Sequence, residues 1–374
     1  MFDVPSIRLG KIFGIPVEVD LSWLVIFGLV TFSLGSSYFP RIPGATGAPA
    51  VLHYVVGAVT SLLFFASILA HELCHSLVAR AEGGHVERIT LFIFGGVAQI
   101  DEEPKTPGRE FLMAAAGPAM SLVLAAALFL AYAVATAQGA PWFVSAPLQY
   151  LSLINMFVAV FNLLPGFPLD GGRVLRSILW GITGDAMKAT RWAVRSGQFI
   201  GWSMVVLAVY SVLQGSADLI WFGLVGWFIA TLASQALQQQ VVKSTLEGVT
   251  ARDIMSSEPE YVEGSSTLDV LVNEHFIGRR HSRYPVFYDG AIVGLITLPD
   301  VKRVEMSEWP FVKTIDVTNR GLDALVVKAD TPVDTVLGRL AGDRPGALLV
   351  VDQGRLVGVI TRSDVISRLE EALS

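Results

Sequence analysis

Six long apolar runs dominate the first 240 residues of this 374-residue chain, at roughly 21–39, 52–78, 111–136, 148–164, 198–213 and 219–237. A helix that crosses a bilayer core needs about 20 mostly apolar residues, so the runs predict a polytopic α-helical membrane protein of about six spans. Composition agrees: the chain is 52% hydrophobic and only 16% charged, with a mean hydropathy of +0.56, whereas soluble domains carry about 25% charged residues. Residues through Lys243 hold 13 basic and 13 acidic side chains, and the rest hold 14 and 20, so the net charge of −6 belongs wholly to the tail. A neutral apolar body therefore precedes an acidic tail of soluble composition. Nothing is basic enough to point to nucleic acid. The first run begins after Arg8 and Lys11 and is long enough to span, which predicts a retained helix rather than a cleaved signal. The single cysteine, Cys74, excludes an intrachain disulfide.

Basic residues orient the spans. Arg8 and Lys11 precede the first run; Arg80, Arg88, Lys105 and Arg109 lie between the second and third; Arg173, Arg176, Lys188, Arg191 and Arg195 lie between the fourth and fifth. Lys243 follows the sixth, and the intervening loops hold only Arg41. With positive charge retained on the cytosolic side, both termini are expected in the cytosol, in what we take as the plasma membrane of a prokaryote. Val86–Ile100 is apolar and β-prone but too short to cross, and Gly95-Gly96 splits it. Backbone of that kind must be covered by protein or line a wet cavity, which predicts a re-entrant β-hairpin.

Near the end of the second run stands His71-Glu72-Leu73-Cys74-His75. Residues four apart share a helix face, so both imidazoles can reach one metal ion, with the Glu72 carboxylate beside them to accept a proton from water. Ionisable groups are costly inside an apolar span and are functional by default. A catalytic zinc site usually has three protein ligands. The best third ligand is Asp170, in Asn162-Leu-Leu-Pro165-Gly-Phe-Pro168-Leu-Asp170-Gly171-Gly172-Arg173. The prolines end the fourth run, and the diglycine is expected to let the backbone take unusual angles after the carboxylate. The second and fourth spans run in the same direction, so His71, His75 and Asp170 all fall near the cytosolic leaflet. Cys74 is expected to pack rather than react. His85 is expected at the interface, His53 on the outer side, and His275 and His281 in the tail.

H-E-x-x-H in one span with N-x-x-P-x-x-x-L-D-G-G in a later one resembles the site-2 protease family of intramembrane metalloproteases, over roughly residues 1–240. The resemblance implies one Zn2+ per chain held by His71, His75 and Asp170, with Glu72 as general base. It implies Asn162 as oxyanion donor or substrate-orienting group, and Asn155, seven residues earlier on the same face, is a second candidate. Ile93-Phe94-Gly95-Gly96-Val97 resembles the family's membrane-embedded hairpin, where Gly95 and Gly96 would meet an unwound substrate segment by strand addition. Gly117-Pro118 also resembles the family, although small residues there can simply let helices approach. The implied substrate is a single-span membrane protein cut within its span.

After the sixth run the pattern changes and repeats. Gly294-Leu-Ile-Thr297-Leu-Pro-Asp300-Val returns 64 residues later as Gly358-Val-Ile-Thr361-Arg-Ser-Asp364-Val. The units resemble tandem cystathionine β-synthase (CBS) domains, a soluble α/β module. The expected organisation is a protease domain over 1–240, a linker at 241–248, and CBS domains at 249–306 and 307–374. The resemblance implies an adenine nucleotide (ATP, ADP or AMP) held by Thr297, Asp300, Thr361 and Asp364, with Pro299 weakening the first site, and a homodimer through the CBS domains. The alternative class is a CBS-gated ion transporter or channel with an intramembrane metal site. Transport has no need of a carboxylate next to the first histidine, and Glu72 is what separates the two.

Overall fold

The computed structural model describes residues 6–93, 95–100, 104–246, 248–257, 259–277, 283–321, 325–341 and 346–373. Contacts divide the chain into two compact units, Met1–Gln238 and Gln239–Ser374. Among the described residues six helices are long and apolar enough to cross a membrane. α1 (Ser22–Ser33) runs on through tighter and wider turns to Arg41; α2 is Ala50–Ala81, α3 Pro107–Ala137 and α4 Trp142–Asn162. A short amphipathic helix, α5 (Asp170–Thr183), then precedes α6 (Ala186–Leu213) and α7 (Ile220–Leu246).

Two boundaries differ from the apolar runs for physical reasons. The fifth span begins at Ala186 rather than near 198, because Asp185 caps it by accepting from Lys188 N at 2.9 Å, and the polar first turns stay helical ahead of the apolar stretch. Asp170 does not end the fourth span. α4 stops at Asn162, and Asp170 is the first residue of the separate helix α5.

The hairpin expected at Val86–Ile100 forms from β3 (Val86–Phe92) and β4 (Gly95–Ile100), with Gly95 at φ +129 in its turn; Phe94 lies outside the described residues. The hairpin is half of a larger sheet. β1 (Ser6–Ile12) pairs antiparallel with β2 (Ile15–Asp20), β2 runs parallel to β3, and the order is β1-β2-β3-β4, leaving β4 at an edge. The N-terminal strands were missed because β1 is exposed throughout and carries no burial signal. β2 does alternate, burying Ile15, Val17 and Val19. Between them Glu18 is buried too, held by Arg8 Nε at 2.9 Å, Ser6 Oγ at 2.9 Å and Arg88 Nη1 at 3.5 Å, which ties three strands together. The sheet packs on α2 and α3 through Ile15, Ala79, Val86, Ile89 and Met113. A second cluster, Leu34, Phe39, Val56 and Ala146, joins α1, α2 and α4 at their other ends.

The second unit holds the two repeats as two sheets: β6-β7-β8 (Val262–Glu263, Arg283–Tyr288, Ala291–Thr297) and β5-β11-β10-β9 (Ser256–Ser257, Arg355–Thr361, Ala347–Asp352, Val326–Lys328). The repeats exchange strands. β5, at the start of the first repeat, pairs with β11 of the second, and Asn319 bridges Leu295 of the first. Leu295, Leu325, Ala347 and Leu349 form a buried cluster shared by both repeats. Leu295→Ala should therefore cost about 2–5 kcal/mol and loosen both sheets together. Hydrogen exchange should show β8 and β10 losing protection in step, and loss confined to β8 would count against a shared core.

Candidate active site

Three of the chemistry-bearing residues converge. His71 and His75, four apart on α2, turn to the same side, and Asp170 reaches them from the first turn of α5. His71 Nε2 lies 3.1 Å from Asp170 Oδ2, His75 Nε2 lies 3.2 Å from the same oxygen, and the two Nε2 atoms are 3.2 Å apart. Both imidazoles are buried and Asp170 is partly so. Ligands of a tetrahedral zinc ion with bonds of about 2.0–2.1 Å stand about 3.3 Å from one another. Among the described residues no other group of three such side chains comes together.

Tautomers sharpen the point. His75 Nδ1 lies 2.6 Å from the carbonyl oxygen of Met113. A carbonyl only accepts, so Nδ1 carries the proton, and in neutral His75 the lone pair is on Nε2. That lone pair faces a second imidazole nitrogen and a carboxylate oxygen. The arrangement needs positive charge at its centre, from protons on the rings or from a metal cation. Burial alone would raise the Asp170 carboxyl, but with the rings protonated the hydrogen bonds from His71 and His75 outweigh it and hold the group well below the usual carboxylate range. The donor set fits zinc, and Zn2+ would be held by His71, His75 and Asp170.

A single helix face prepares this site. On α3, the Met113 carbonyl orients His75, and Ser121 Oγ lies 2.9 Å from His71 Nδ1. Gly117 stands midway between them. A methyl group there would lie 2.5 Å from His71 Nε2 and closer still to His75 Nε2, so any side chain would collide with the ligand atoms of both rings. The lack of a side chain at Gly117 lets α3 come right up to both imidazoles of α2. Ser121 was missed, though a hydroxyl in an apolar span, one turn from that glycine, is a legible signal.

Gly171 and Gly172 also act differently from expectation. Neither has a positive φ; both sit in the first turn of α5, with their Cα atoms against the backbone of the 163–167 loop, where no Cβ fits. The diglycine seats the loop that delivers Asp170. Glu72 packs against the start of β4: a methyl on Gly96 would lie 2.5 Å from Glu72 Cγ. Its carboxylate is within electrostatic reach of His75, His71, Asp170 and Arg173. Gly96 thus lets the sheet edge approach Glu72, with Gly95 beside it at the hairpin turn.

Asn162 closes α4 and is partly exposed. Asn155 is buried and donates back to Leu151 O at 2.8 Å, inside its own helix, at one end of an apolar cavity of about 600 Å³ between α2, α3 and α4. His53 is buried against Ala45 O and Trp142, far along α2 from the cluster, and His85 is exposed. Cys74 is partly buried and unbridged. In the tail, His275 meets Tyr284 edge-on, and His281 lies outside the described residues.

The paired Thr and Asp residues of the tail have a structural task. Thr361 donates from N and from Oγ1 to Asp364 Oδ2, each at 2.6 Å, and Ser256 Oγ donates to Asp364 Oδ1 at 3.0 Å. Thr297 and Asp300 form the same capping box, N to Oδ2 at 3.0 Å, and Pro299 sits in the first helical turn, where proline is accommodated. Thr250 and Asp253 make a third such box.

Two family models match the chain: peptidase family M50 over residues 59–140 and 131–204, and the CBS domain over 251–307 and 314–371. A Synechocystis protein bearing a zinc-metalloprotease name, sll0528, is 36% identical across 98% of this chain and 96% of its own length. Rip3 of Mycobacterium tuberculosis, also named as a zinc metalloprotease, is 35% identical across 96% and 92%. The site-2 protease from Methanocaldococcus jannaschii is a similar solved structure, 33% identical, covering 62% of this chain and 95% of its own, with a TM-score of 0.42.

The geometry makes Gly117→Ala the most direct probe of the cluster. The added methyl should lower zinc affinity by at least about tenfold, and Ser121→Ala, which frees the His71 ring, by about 10–100-fold. Competition with a chromophoric chelator in detergent reads both, and unchanged affinity in Gly117→Ala would mean that the ion sits elsewhere.

Proposed function

The chain belongs to peptidase family M50 of zinc metalloproteases and ends in tandem CBS domains, and from that premise we propose that it is an endopeptidase cutting single-span membrane proteins inside the bilayer, near the cytosolic leaflet. One observation carries this: two imidazoles and a carboxylate brought to mutual distances of 3.1–3.2 Å at one end of a membrane-spanning helix, with a glutamate one residue away. We assign His71, His75 and Asp170 as zinc ligands, Glu72 as general base, and Asn162 as the donor to the developing oxyanion. Both termini would lie in the cytosol of a prokaryotic cell, since the basic loops all fall on one side. The protease domain would end near residue 240, with a linker to 248 and CBS domains at 249–306 and 307–374.

The residues divide the work as follows. A helical substrate hides its amides in its own hydrogen bonds, so a segment must unwind before attack. The free edge of β4, opened at Gly95 and Gly96, can take such a segment as an added strand and bring its carbonyl past Glu72. When bound, zinc supplies a Lewis acid that polarises that carbonyl and activates water. Glu72 takes the proton from the attacking water and returns it to the leaving amine. Asn162 donates to the oxygen that gains charge in the transition state. Asn155, bonded back to Leu151, lines the cavity behind the site and would contact substrate there.

An adenine nucleotide on the CBS pair is the proposed regulator, and a homodimer through that module is the proposed assembly. We assign phosphate to Thr297 and Thr361 and ribose hydroxyls to Asp300 and Asp364, at the oxygen lone pairs that the capping boxes leave over.

Cleavage of a single-span substrate in liposomes separates this reading from transport. Glu72→Gln should retain zinc and lose about 10²–10⁴-fold in rate, and Asn162→Ala should lose about 10²–10³-fold in kcat. Zinc-dependent ion flux that survives Glu72→Gln, without proteolysis, would sink the protease. Titration of the full chain with AMP and ATP, against Asp364→Asn, tests the regulator.

A further inference from the structure

Asp170 owes its place to α5, a 14-residue helix that does not cross the membrane. Membrane insertion therefore does not fix its depth or rotation, and the third donor would drift unless something held the helix. At its start, Gly171 and Gly172 press on the 163–167 loop. Six residues on from Asp170, about 9 Å along the axis, Arg176 Nη1 donates to Glu110 Oε1 at 2.8 Å. The Glu110 side chain is fully buried and that of Arg176 is 10% exposed.

Glu110 lies on α3, on the stripe that also carries Met113, Gly117 and Ser121 at helical spacing, all buried. That stripe orients both imidazoles and clears the space between them. We infer that Glu110 and Arg176 are positioning residues for Asp170: their ion pair registers α5 on α3, so that one helix face sets all three donors. The inference rests on the zinc reading above. A buried ion pair is a weak source of stability, because desolvation consumes most of its Coulombic gain, and apolar replacements of similar volume often fold as well or better. What it supplies is a direction and a length, since a buried carboxylate must be met and Nη1 of a long, rigid-ended side chain reaches it from α5.

The test uses the full chain in detergent and measures zinc affinity by chelator competition, melting temperature, and kcat against KM. The double variant Glu110→Leu/Arg176→Met should fold, with a melting temperature near or above that of the parent. It should nevertheless lose about 10–100-fold in zinc affinity, with kcat reduced and KM unchanged. Unaltered affinity and kcat in that variant overturn the proposal and leave the pair a structural one. If the apolar pair fails to fold, Arg176→Lys decides instead, because it keeps the charge and alters the reach and direction of the bond from Nη1: the proposal expects weakened zinc binding, and parental affinity overturns it. Asp170→Ala is the control. If it does not weaken zinc binding, the zinc reading itself fails; if it does while the pair variants bind as the parent, only the positioning role fails.

Discussion

Everything in the membrane unit answers to three electron-rich atoms held within 3.2 Å of one another. The Met113 carbonyl forces the proton of His75 onto Nδ1, so the opposite nitrogen has only a lone pair to offer its neighbours. Such a cluster repels itself unless positive charge fills it. A site of that kind cannot arise as a by-product of packing, and the surrounding helices have to hold it against its own repulsion. That requirement explains why so much buried backbone and so many small residues collect around it.

The holding element is α3. The H-E-x-x-H helix places both imidazoles on one side, but a ring can still rotate about two torsions, and the stripe from Glu110 to Ser121 removes that freedom. Gly117 is the negative counterpart of those contacts, a position where the absence of a side chain keeps a volume open. Gly96 likewise lets the backbone of the sheet edge come close to Glu72, one residue along α2 from His71. On the reading proposed above, Glu72 stands between the metal ligands and the edge that would take the substrate.

Much of this was legible in the sequence, for uneven reasons. The spans were legible because hydrocarbon demands a length, and the ligands because an i, i+4 histidine pair in an apolar helix has few structural uses. β1 was not legible, since it buries nothing. α5 was hidden because Pro165 and Pro168 mark where α4 stops but not that a new helix starts at Asp170. The diglycine was read as backbone freedom when its function is close approach, a distinction that needs the partner loop in view. Met113 could not have been found at all, because the group that matters is its carbonyl, which every residue has. In the tail, the Thr and Asp positions that suggested a nucleotide turned out to satisfy each other in capping boxes, so the motif marks a helix start whether or not a ligand follows.

The distribution of ionisable groups supports the same conclusion from the side of cost. His71, Glu72 and His75 lie in one span and Glu110 at the start of another, each taken out of water that would have solvated it. A chain selected only to fold in a bilayer would replace them, since apolar residues pack there without desolvation cost. Glu110 is matched by Arg176, and the imidazoles by Asp170, so no charge is left uncompensated within its own helix pair. Glu72 differs: it stands next to a sheet edge, within electrostatic reach of His75, His71, Asp170 and Arg173. On the reading proposed above, the carboxylate that stands at this open edge is the group placed to exchange a proton with a strand docked there.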